Sequence, residues 1–212
     1  MRAILAKPLC HRRRRRARPH SGPQRADRAG EGETLEDAIK ISTDLAPTCA
    51  EATLRRPAVG DAAKVWRLVR EVGSLDANSP YAYLLLCSDF ADTGIVAETR
   101  GRLVGFALGY RPPARPDTLF VWQIAVSPEH RGERIASRLL GELIERTRSR
   151  GVRFVEATVT PGNRASAALF RGVAQRRGVP VREIPAFSHA LFPGGDHEDE
   201  IRLRIGPVTA AG

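Results

Sequence analysis

The sequence predicts a mixed α/β domain with a central, mostly antiparallel sheet flanked by helices. Apolar segments at Gly94–Glu98 and Leu103–Tyr110 predict two strands of a hairpin, because a short Arg-Gly-Arg turn separates them. The almost entirely apolar run Leu119–Val126 is typical of a strand buried on both faces. Helical periodicity over Glu133–Arg150, followed by the apolar segment Arg153–Thr158, then predicts a helix and a further strand.

The elements before the hairpin are one short strand and two helices. Ala52–Arg55 predicts an edge strand, and Val59–Val72 carries apolar residues at helical spacing. The second helix is expected to begin after Ser79, a favourable N-cap, with Pro80 in its first position, and to end near Phe90.

The elements after the central strand complete a strand–helix–strand–helix–strand order. Asn163–Arg177 predicts the last helix, for which Asn163 is a good N-cap, and Ile201–Ile205 predicts the last strand. A meander followed by such alternation implies a sheet with mostly antiparallel and some parallel pairing.

Positive charge is concentrated at the amino terminus. Residues 1–28 carry ten Lys and Arg against one acid, a net of +9, whereas residues 29–50 carry one Lys against five acids, a net of −4. The remaining 23 basic and 18 acidic residues give +5, so the total of +10 comes largely from the first segment. We therefore expect a disordered Arg-rich extension at 1–50, a folded domain at 51–207 and a short tail at 208–212.

The arginine run Arg12–Arg16 has several possible meanings. It could bind nucleic acid or an anionic surface, act as an organellar transit segment, form a solvated arm, or result from an upstream start codon. We favour the solvated arm or the upstream start and do not expect a nucleic-acid partner.

Composition argues against two other classes of protein. No window approaches the roughly 20 consecutive apolar residues of a membrane span. The cysteines Cys10, Cys49 and Cys87 are odd in number and lack metal-ligand spacing, which indicates a reducing compartment without a disulfide framework or a metal site.

A phosphate-binding loop is predicted directly after the central strand. Arg131-Gly132-Glu133-Arg134-Ile135-Ala136 opens the helix that follows a Ser-Pro turn. Backbone N–H groups at a helix start have no intrahelical partner and lie at the positive end of the helix dipole, so they bind a pyrophosphate well. This order of parts fits acetyl transfer from coenzyme A.

Six blocks of sequence then carry a more specific resemblance. They resemble the GCN5-related N-acetyltransferase (GNAT) superfamily and, within it, the L-2,4-diaminobutyrate acetyltransferases of ectoine biosynthesis. The matching blocks lie within residues 53–207 and are Leu75–Cys87, Val104–Phe106, Pro116–Val126, Thr158–Ser166, Gly194–His197 and Arg204–Gly206.

This resemblance implies a GNAT fold, in which the two middle strands splay apart and expose backbone groups to the acetyl-CoA thioester. Trp122 to Val126 would line that opening, with the Val126 N–H as oxyanion donor. No metal is implied. The residues implied to contact the cofactor are Ile124, Val126, Arg131, Gly132, Arg134, Ala136 and Asn163.

Arg134 departs from the superfamily pattern, which usually has glycine at this position of the loop. If its φ is negative, the arginine is tolerated and adds positive charge beside the pyrophosphate. If the loop requires glycine geometry, coenzyme A binding is weakened. We expect a negative φ.

The resemblance also assigns the substrate site. A diamine with one carboxylate requires acids for its ammonium groups, and Asp76 and Glu200 match the family's acids. Trp122 offers an aromatic face, while Tyr81 and His197 are the remaining substrate contacts. Removing the proton from the attacking amine is assigned to Glu200 or Asp76.

Other interpretations of these residues remain open. Asp76 could organise the turn before Pro80, and Trp122 could fill the core. Glu198 and Asp199 are alternative carboxylates to Glu200 in the same acidic run.

Four further residues limit the chemistry. Tyr81 and Tyr83 are two residues apart on a helix, so at most one faces the pocket. Cys87 is expected to pack in the core, and Phe170 stands where many acetyltransferases have a tyrosine that protonates the leaving thiolate.

The function expected from the sequence is acetylation of the 4-amino group of L-2,4-diaminobutyrate, giving N4-acetyl-L-2,4-diaminobutyrate. The resemblance implies a cytoplasmic homodimer with a role in osmoprotection. The alternatives are an acetyltransferase for another small diamine or amino acid, or an inactive scaffold that binds nucleic acid through its Arg-rich tail.

Overall fold

The computed structural model describes residues 51–194 and 197–208 as a seven-stranded sheet with helices on both faces. The expected extension at 1–50 and most of the expected tail lie outside the described residues. The helices are α1 (Ala62–Val72), α2 (Pro80–Ser88), α3 (Ile135–Arg148) and α4 (Arg164–Arg176). The strands are β1 (Thr53–Arg55), β2 (Gly94–Thr99), β3 (Arg102–Tyr110), β4 (Thr118–Val126), β5 (Phe154–Val159), β6 (Val181–Phe187) and β7 (Glu200–Ile205).

The sheet order is β1-β2-β3-β4-β5-β7-β6, and every neighbouring pair is antiparallel except β4–β5. The predicted mixed fold with a mostly antiparallel sheet is therefore confirmed. Both predicted caps are also present. The Ser79 Oγ accepts a hydrogen bond from the Tyr81 N–H at 3.3 Å, and the Asn163 Oδ1 accepts one from the Ser166 N–H at 3.2 Å.

Strand β6 is absent from the sequence prediction, which was incomplete here. Its residues are mostly exposed, including Ile184 at 41% and Phe187 at 43%, so it lacks the apolar alternation of a half-buried strand. Pro185 also argues against a strand in sequence, yet β6 is an edge strand, where a missing N–H is tolerated. Its structure depends on pairing with β7, a tertiary contact.

The sheet separates two apolar cores. Leu119, Val121 and Ile124 of β4 pack with α3 and α4, whereas Phe120 and Trp122 pack with α1 and α2. Because side chains alternate along a strand, both faces of β4 are covered, which explains its continuous apolar sequence.

A β-bulge in β4 changes this alternation. Gly109 of β3 pairs with Val121, and Leu108 pairs with Gln123, so Trp122 is an extra residue in β4. The bulge places two consecutive side chains, those of Trp122 and Gln123, on the α1–α2 side of the sheet.

A buried ion pair joins the edge strand β1 to the start of α1. The Asp61 carboxylate is buried and accepts hydrogen bonds from the Arg55 guanidinium at 2.6 and 2.9 Å and from the Ala58 N–H at 2.9 Å. The hydrogen bonds from Arg55 hold the pKa of Asp61 below its usual value, despite an opposing effect of burial.

Asp61→Asn is expected to lower the free energy of unfolding at pH 7 by about 2–3 kcal/mol, because it removes one partner of a buried charge pair. A depressed folded-state pKa stabilises the fold above the unfolded pKa of about 3.9, and this contribution is lost as pH falls through the folded-state pKa. The free energies of unfolding of the wild type and Asp61→Asn, measured in urea, should therefore converge as the pH is lowered from 7 to 3. Asp92→Asn, at exposed pairs with Arg150 and Arg56, should cost below about 1 kcal/mol. If the difference in free energy of unfolding between the wild type and Asp61→Asn does not change with pH, the assignment of a lowered pKa to Asp61 is contradicted.

Candidate functional site

The candidate site begins where β4 and β5 separate. Their parallel pairing ends at Phe120 with Glu156, although both strands continue, so the predicted splay of the middle strands is confirmed. The Ser127 N–H bonds the Val104 carbonyl of β3. Because backbone groups alternate along a strand, the N–H groups of Val126 and Ile124 point toward the opposite edge, into this gap. The gap thus presents backbone donors that no neighbouring strand covers.

The loop from β4 to α3 supplies a second set of donors. Gly132 has a φ of 87°, and α3 begins at Ile135, two residues later than predicted. Arg134 is the residue before the helix, and its φ of 59° and ψ of 13° lie in the left-handed region. The expectation of a negative φ was wrong, because the chain must turn here to start α3 and does so with an arginine in glycine geometry.

Arg134→Gly is expected to raise the free energy of unfolding by about 1 kcal/mol, since it removes left-handed strain from a residue with a side chain. It also removes a cation from the predicted phosphate loop, so the KM for acetyl-CoA should rise, by roughly three-fold. Arg134→Ala loses the same charge but keeps the strain, and should raise KM equally without stabilising the fold. Chemical denaturation and steady-state kinetics measure both effects. Equal stability of the two variants would contradict the strain argument.

The α1–α2 side of the gap carries Trp122. Its ring is buried and lies 5.9 Å from the Tyr83 ring, centroid to centroid. Its indole Nε1–H is buried without a hydrogen-bond partner among the described residues. A buried donor without an acceptor costs free energy, so this N–H is available to a ligand acceptor.

Glu200 and His197 lie together at the start of β7. Glu200 is 1% exposed, and its Oε1 is 3.6 Å from the His197 Nε2. Alternation along β7 directs Glu200 to the sheet face that also carries Trp122, since Leu203 and Ile205 belong to the opposite core.

The tautomer of His197 follows from its contacts. Its Nδ1 is 2.6 Å from the Glu198 carbonyl oxygen, which can only accept, so Nδ1 carries a proton. In the neutral ring, Nε2 then has the lone pair and faces Glu200. The ring stacks on Phe192 at 3.6 Å between centroids, which fixes its plane. At 3.6 Å, the His197 Nε2 and the Glu200 Oε1 are adjacent but just beyond hydrogen-bond distance.

The two alternative carboxylates have different surroundings. Glu198 is exposed and accepts a hydrogen bond from the Gly162 N–H at 3.3 Å. Asp199 is exposed and bonds the N–H and ring of His189, and these hydrogen bonds lower the pKa of Asp199. Of the three acids, only Glu200 has a buried carboxylate.

The other predicted substrate residues are less enclosed. Asp76 is exposed in the segment between α1 and α2, and its backbone carbonyl accepts hydrogen bonds from Asn78 and Gln123. Tyr81 is 65% exposed on α2, while Tyr83 is fully buried. The folded chain therefore brings Trp122, Tyr83 and Gln123 together, and leaves Tyr81 at the surface.

Two buried polar groups have no place in the sequence prediction. Gln123 bonds the Tyr83 hydroxyl, and Glu156 of β5 is paired with three arginines, Arg115, Arg202 and Arg204. Gln123 interrupts an apolar run, which was a signal that its amide has buried partners. The arginine cluster depends on the β5–β7 pairing and has no local signal.

The remaining chemistry of the described residues is limited. Burial raises the pKa of the Cys87 thiol to about 11, so it is protonated near neutral pH and suited to packing. Residues 51–194 and 197–208 contain no group of three or more His, Cys, Asp or Glu placed to hold a metal ion. None of the helices in those ranges has the length and apolar character needed to cross a membrane.

Residues 63–173 match the acetyltransferase (GNAT) family, which agrees with the splayed strands and the phosphate loop. The chain is also similar to the L-2,4-diaminobutyric acid acetyltransferases of Nocardia farcinica and Bordetella parapertussis. Identity is 47% with the first, over 74% of this chain and 81% of the relative, and 46% with the second, over 84% and 96%. The chain belongs to the L-2,4-diaminobutyric acid acetyltransferase family within the GNAT acetyltransferases.

Solved structures agree with this assignment. A diaminobutyrate acetyltransferase from Paenibacillus lautus, in complex with L-2,4-diaminobutyric acid and coenzyme A, is 44% identical with a TM-score of 0.72. The similarity covers 77% of this chain and 99% of that one. A ribosomal-protein-alanine N-acetyltransferase from Brucella melitensis, 22% identical with a TM-score of 0.59, shares the fold alone.

Proposed function

We propose that this protein transfers the acetyl group of acetyl-CoA to the 4-amino group of L-2,4-diaminobutyrate, giving N4-acetyl-L-2,4-diaminobutyrate for ectoine biosynthesis. The observation that carries the proposal is the buried Glu200–His197 pair on the sheet face beside the β4–β5 gap. Such a pair suits an amine acceptor that must lose a proton before it attacks a thioester.

The gap and the loop provide the acetyl-CoA site. The Val126 N–H points into the gap and is placed to donate to the thioester oxygen as negative charge develops there. The phosphate loop would hold the pyrophosphate through backbone N–H groups and nearby cations. We propose seven contact residues for acetyl-CoA: Ile124, Val126, Arg131, Gly132, Arg134, Ala136 and Asn163.

The substrate would bind on the α1–α2 side of the sheet. Glu200 attracts the 4-ammonium, and Asp76 the second ammonium, each by charge. The Trp122 Nε1–H has no acceptor within residues 51–194 and 197–208 and suits the substrate carboxylate, while the ring face suits an adjacent cation. Tyr81 closes the site from α2 in this proposal.

The reaction follows from this placement. The 4-ammonium gives one proton to the Glu200 carboxylate, and the proton passes to the His197 Nε2 and then to solvent. The neutral amine attacks the thioester carbonyl carbon and a C–N bond forms. As the C–S bond breaks, the nitrogen gives its second proton to water, which leaves a neutral amide and a thiolate. Phe170 is fully buried and has no proton to donate, so water protonates the departing thiolate.

Acetyl-CoA-dependent thiol release, with mass spectrometry of the product, tests this proposal. L-2,4-diaminobutyrate should be the preferred acceptor over ornithine and lysine and should be acetylated on its 4-amino nitrogen. If ornithine or lysine is preferred, the proposed substrate is wrong and that diamine takes its place. If none of the three acceptors is acetylated, the proposed enzymatic function is contradicted.

The proposal extends to a cytoplasmic homodimer that serves osmoprotection. It is supported by the family resemblance and by the edge strand β6, whose exposed Ile184 and Phe187 continue to the 70% exposed Leu191. Light scattering on the eluting protein should give twice the mass of 23.2 kDa. A single-chain mass at micromolar concentration would contradict the dimer.

A further inference from the structure

Gln123 is the one fully buried side-chain amide of the central strand β4, and both its oxygen and its nitrogen form hydrogen bonds. Its Oε1 accepts a hydrogen bond from the Tyr83 hydroxyl at 3.1 Å, and its Nε2 donates to the Asp76 carbonyl at 3.1 Å. The opposite amide orientation would place two oxygens against each other at Asp76, so these partners determine the orientation.

These bonds belong to a closed set that joins three elements. The Asn78 N–H donates to the Tyr83 hydroxyl at 3.4 Å, and the Asn78 Nδ2 donates to the Asp76 carbonyl at 3.1 Å. Strand β4, helix α2 and the segment between α1 and α2 are therefore linked through one side chain. In such a network, removing one member leaves buried partners unsatisfied.

The β-bulge is what makes this contact possible. Without the extra residue, alternation would direct Gln123 to the α3–α4 core and away from Tyr83. With it, Gln123 follows Trp122 on the same face, so the residue next to the proposed substrate tryptophan anchors the proposed substrate acid.

We propose that Gln123 is a positioning residue, which holds the segment carrying Asp76 against β4 and thereby determines affinity for the diamine substrate. This inference rests on the proposed function. Asp76 is exposed, so its carboxylate depends on the backbone anchor for its place. The phosphate loop and Val126 are not part of the hydrogen-bonded set, so handling of acetyl-CoA should not depend on it.

Gln123→Met tests the proposal, because it keeps the length of the side chain and removes both hydrogen bonds. The KM for L-2,4-diaminobutyrate should rise by about ten-fold, while the KM for acetyl-CoA should stay within about two-fold. Gln175→Met, at an exposed position of α4, is the matched control and should change neither. An equal rise in both KM values would indicate a merely structural role and overturn the proposal.

A double-mutant cycle with Asp76→Ala identifies the route of the effect. If Gln123 acts through Asp76, Gln123→Met should raise the KM for diaminobutyrate by less than about two-fold once Asp76 is alanine. If the KM of the double variant rises by the product of the two single rises, Gln123 acts independently of Asp76, which would contradict the positioning role. Should Gln123→Met fail to fold, Tyr83→Phe removes the two bonds of the Tyr83 hydroxyl and keeps the bond from Gln123 to the Asp76 carbonyl. It should give the same pattern with a smaller rise, of about three-fold.

Hydrogen exchange separates this proposal from the proposed function. Gln123→Met should accelerate amide exchange at least ten-fold in residues 74–79, which include the bonded Asn78 N–H, and leave α3 and β5 unchanged. If amide exchange in residues 74–79 is unchanged in Gln123→Met, Gln123 does not anchor that segment, whichever substrate the enzyme uses. If Gln123→Met accelerates exchange in that segment but the wild type does not acetylate diaminobutyrate, the anchor is kept and the proposed function is refuted.

Discussion

Glu200→Gln is expected to lower kcat/KM for L-2,4-diaminobutyrate by about 100-fold or more, the usual contribution of a general base. The amide keeps the shape of the side chain but neither attracts the 4-ammonium nor accepts its proton. Because Glu200 is buried beside His197, water does not readily replace it. Steady-state kinetics at saturating acetyl-CoA measure the effect.

Glu198→Gln is the matched control for this prediction, since it makes the same chemical change two residues away. Glu198 is exposed and its carboxylate accepts a hydrogen bond from the Gly162 N–H at the surface, so activity should stay within about three-fold. The unfolding midpoint should confirm that both variants are folded. A Glu200→Gln enzyme with near wild-type kcat/KM would remove Glu200 from the mechanism.

Gly109→Ala should have the largest effect on stability, lowering the free energy of unfolding by about 3 kcal/mol or more, at or above the usual range for overpacking. A Cβ at Gly109 would lie 2.3 Å from the Phe120 carbonyl oxygen and 3.2 Å from the Val121 Cα. These are backbone atoms of β4 at the bulge, so relief requires the strands to separate. The expected consequence is a lower urea midpoint.

Gly141→Ala is the control, and it is expected to change the free energy of unfolding in the opposite direction. Gly141 lies inside α3, and a Cβ there meets no atom within 4 Å. Alanine is favoured over glycine in a helix interior by about 1 kcal/mol, so this variant should be stabilised. An unchanged midpoint for Gly109→Ala would mean that β3 and β4 separate at little cost, contrary to the close contact.

Local sequence signals were sufficient for most of the fold. Ser79 and Asn163 cap helices as predicted, because a capping side chain bonds backbone within three residues of itself. Leu119–Val126 lies within β4, because a strand covered on both faces favours apolar residues at nearly every position. The failure at β6 has the complementary cause, since an exposed edge strand owes its conformation to its neighbour.

The site was only partly predictable. The resemblance selected Trp122, Glu200 and His197, and the structure places the last two together on the sheet face that carries Trp122. Their chemical roles remain predictions. Arg134 was expected at negative φ, but its conformation is imposed by how the loop joins β4 to α3, which no nearby residue signals.

The sequence by itself determined the fold class and the family, and it predicted the phosphate loop and the candidate acids, because each depends on residue type and spacing along the chain. Only the tertiary structure decided which acid is buried, that Trp122 is the bulged residue and that Gln123 reaches Asp76. The reason is that burial, strand register and contacts over 47 residues of sequence arise from how β3, β4 and α2 pack together.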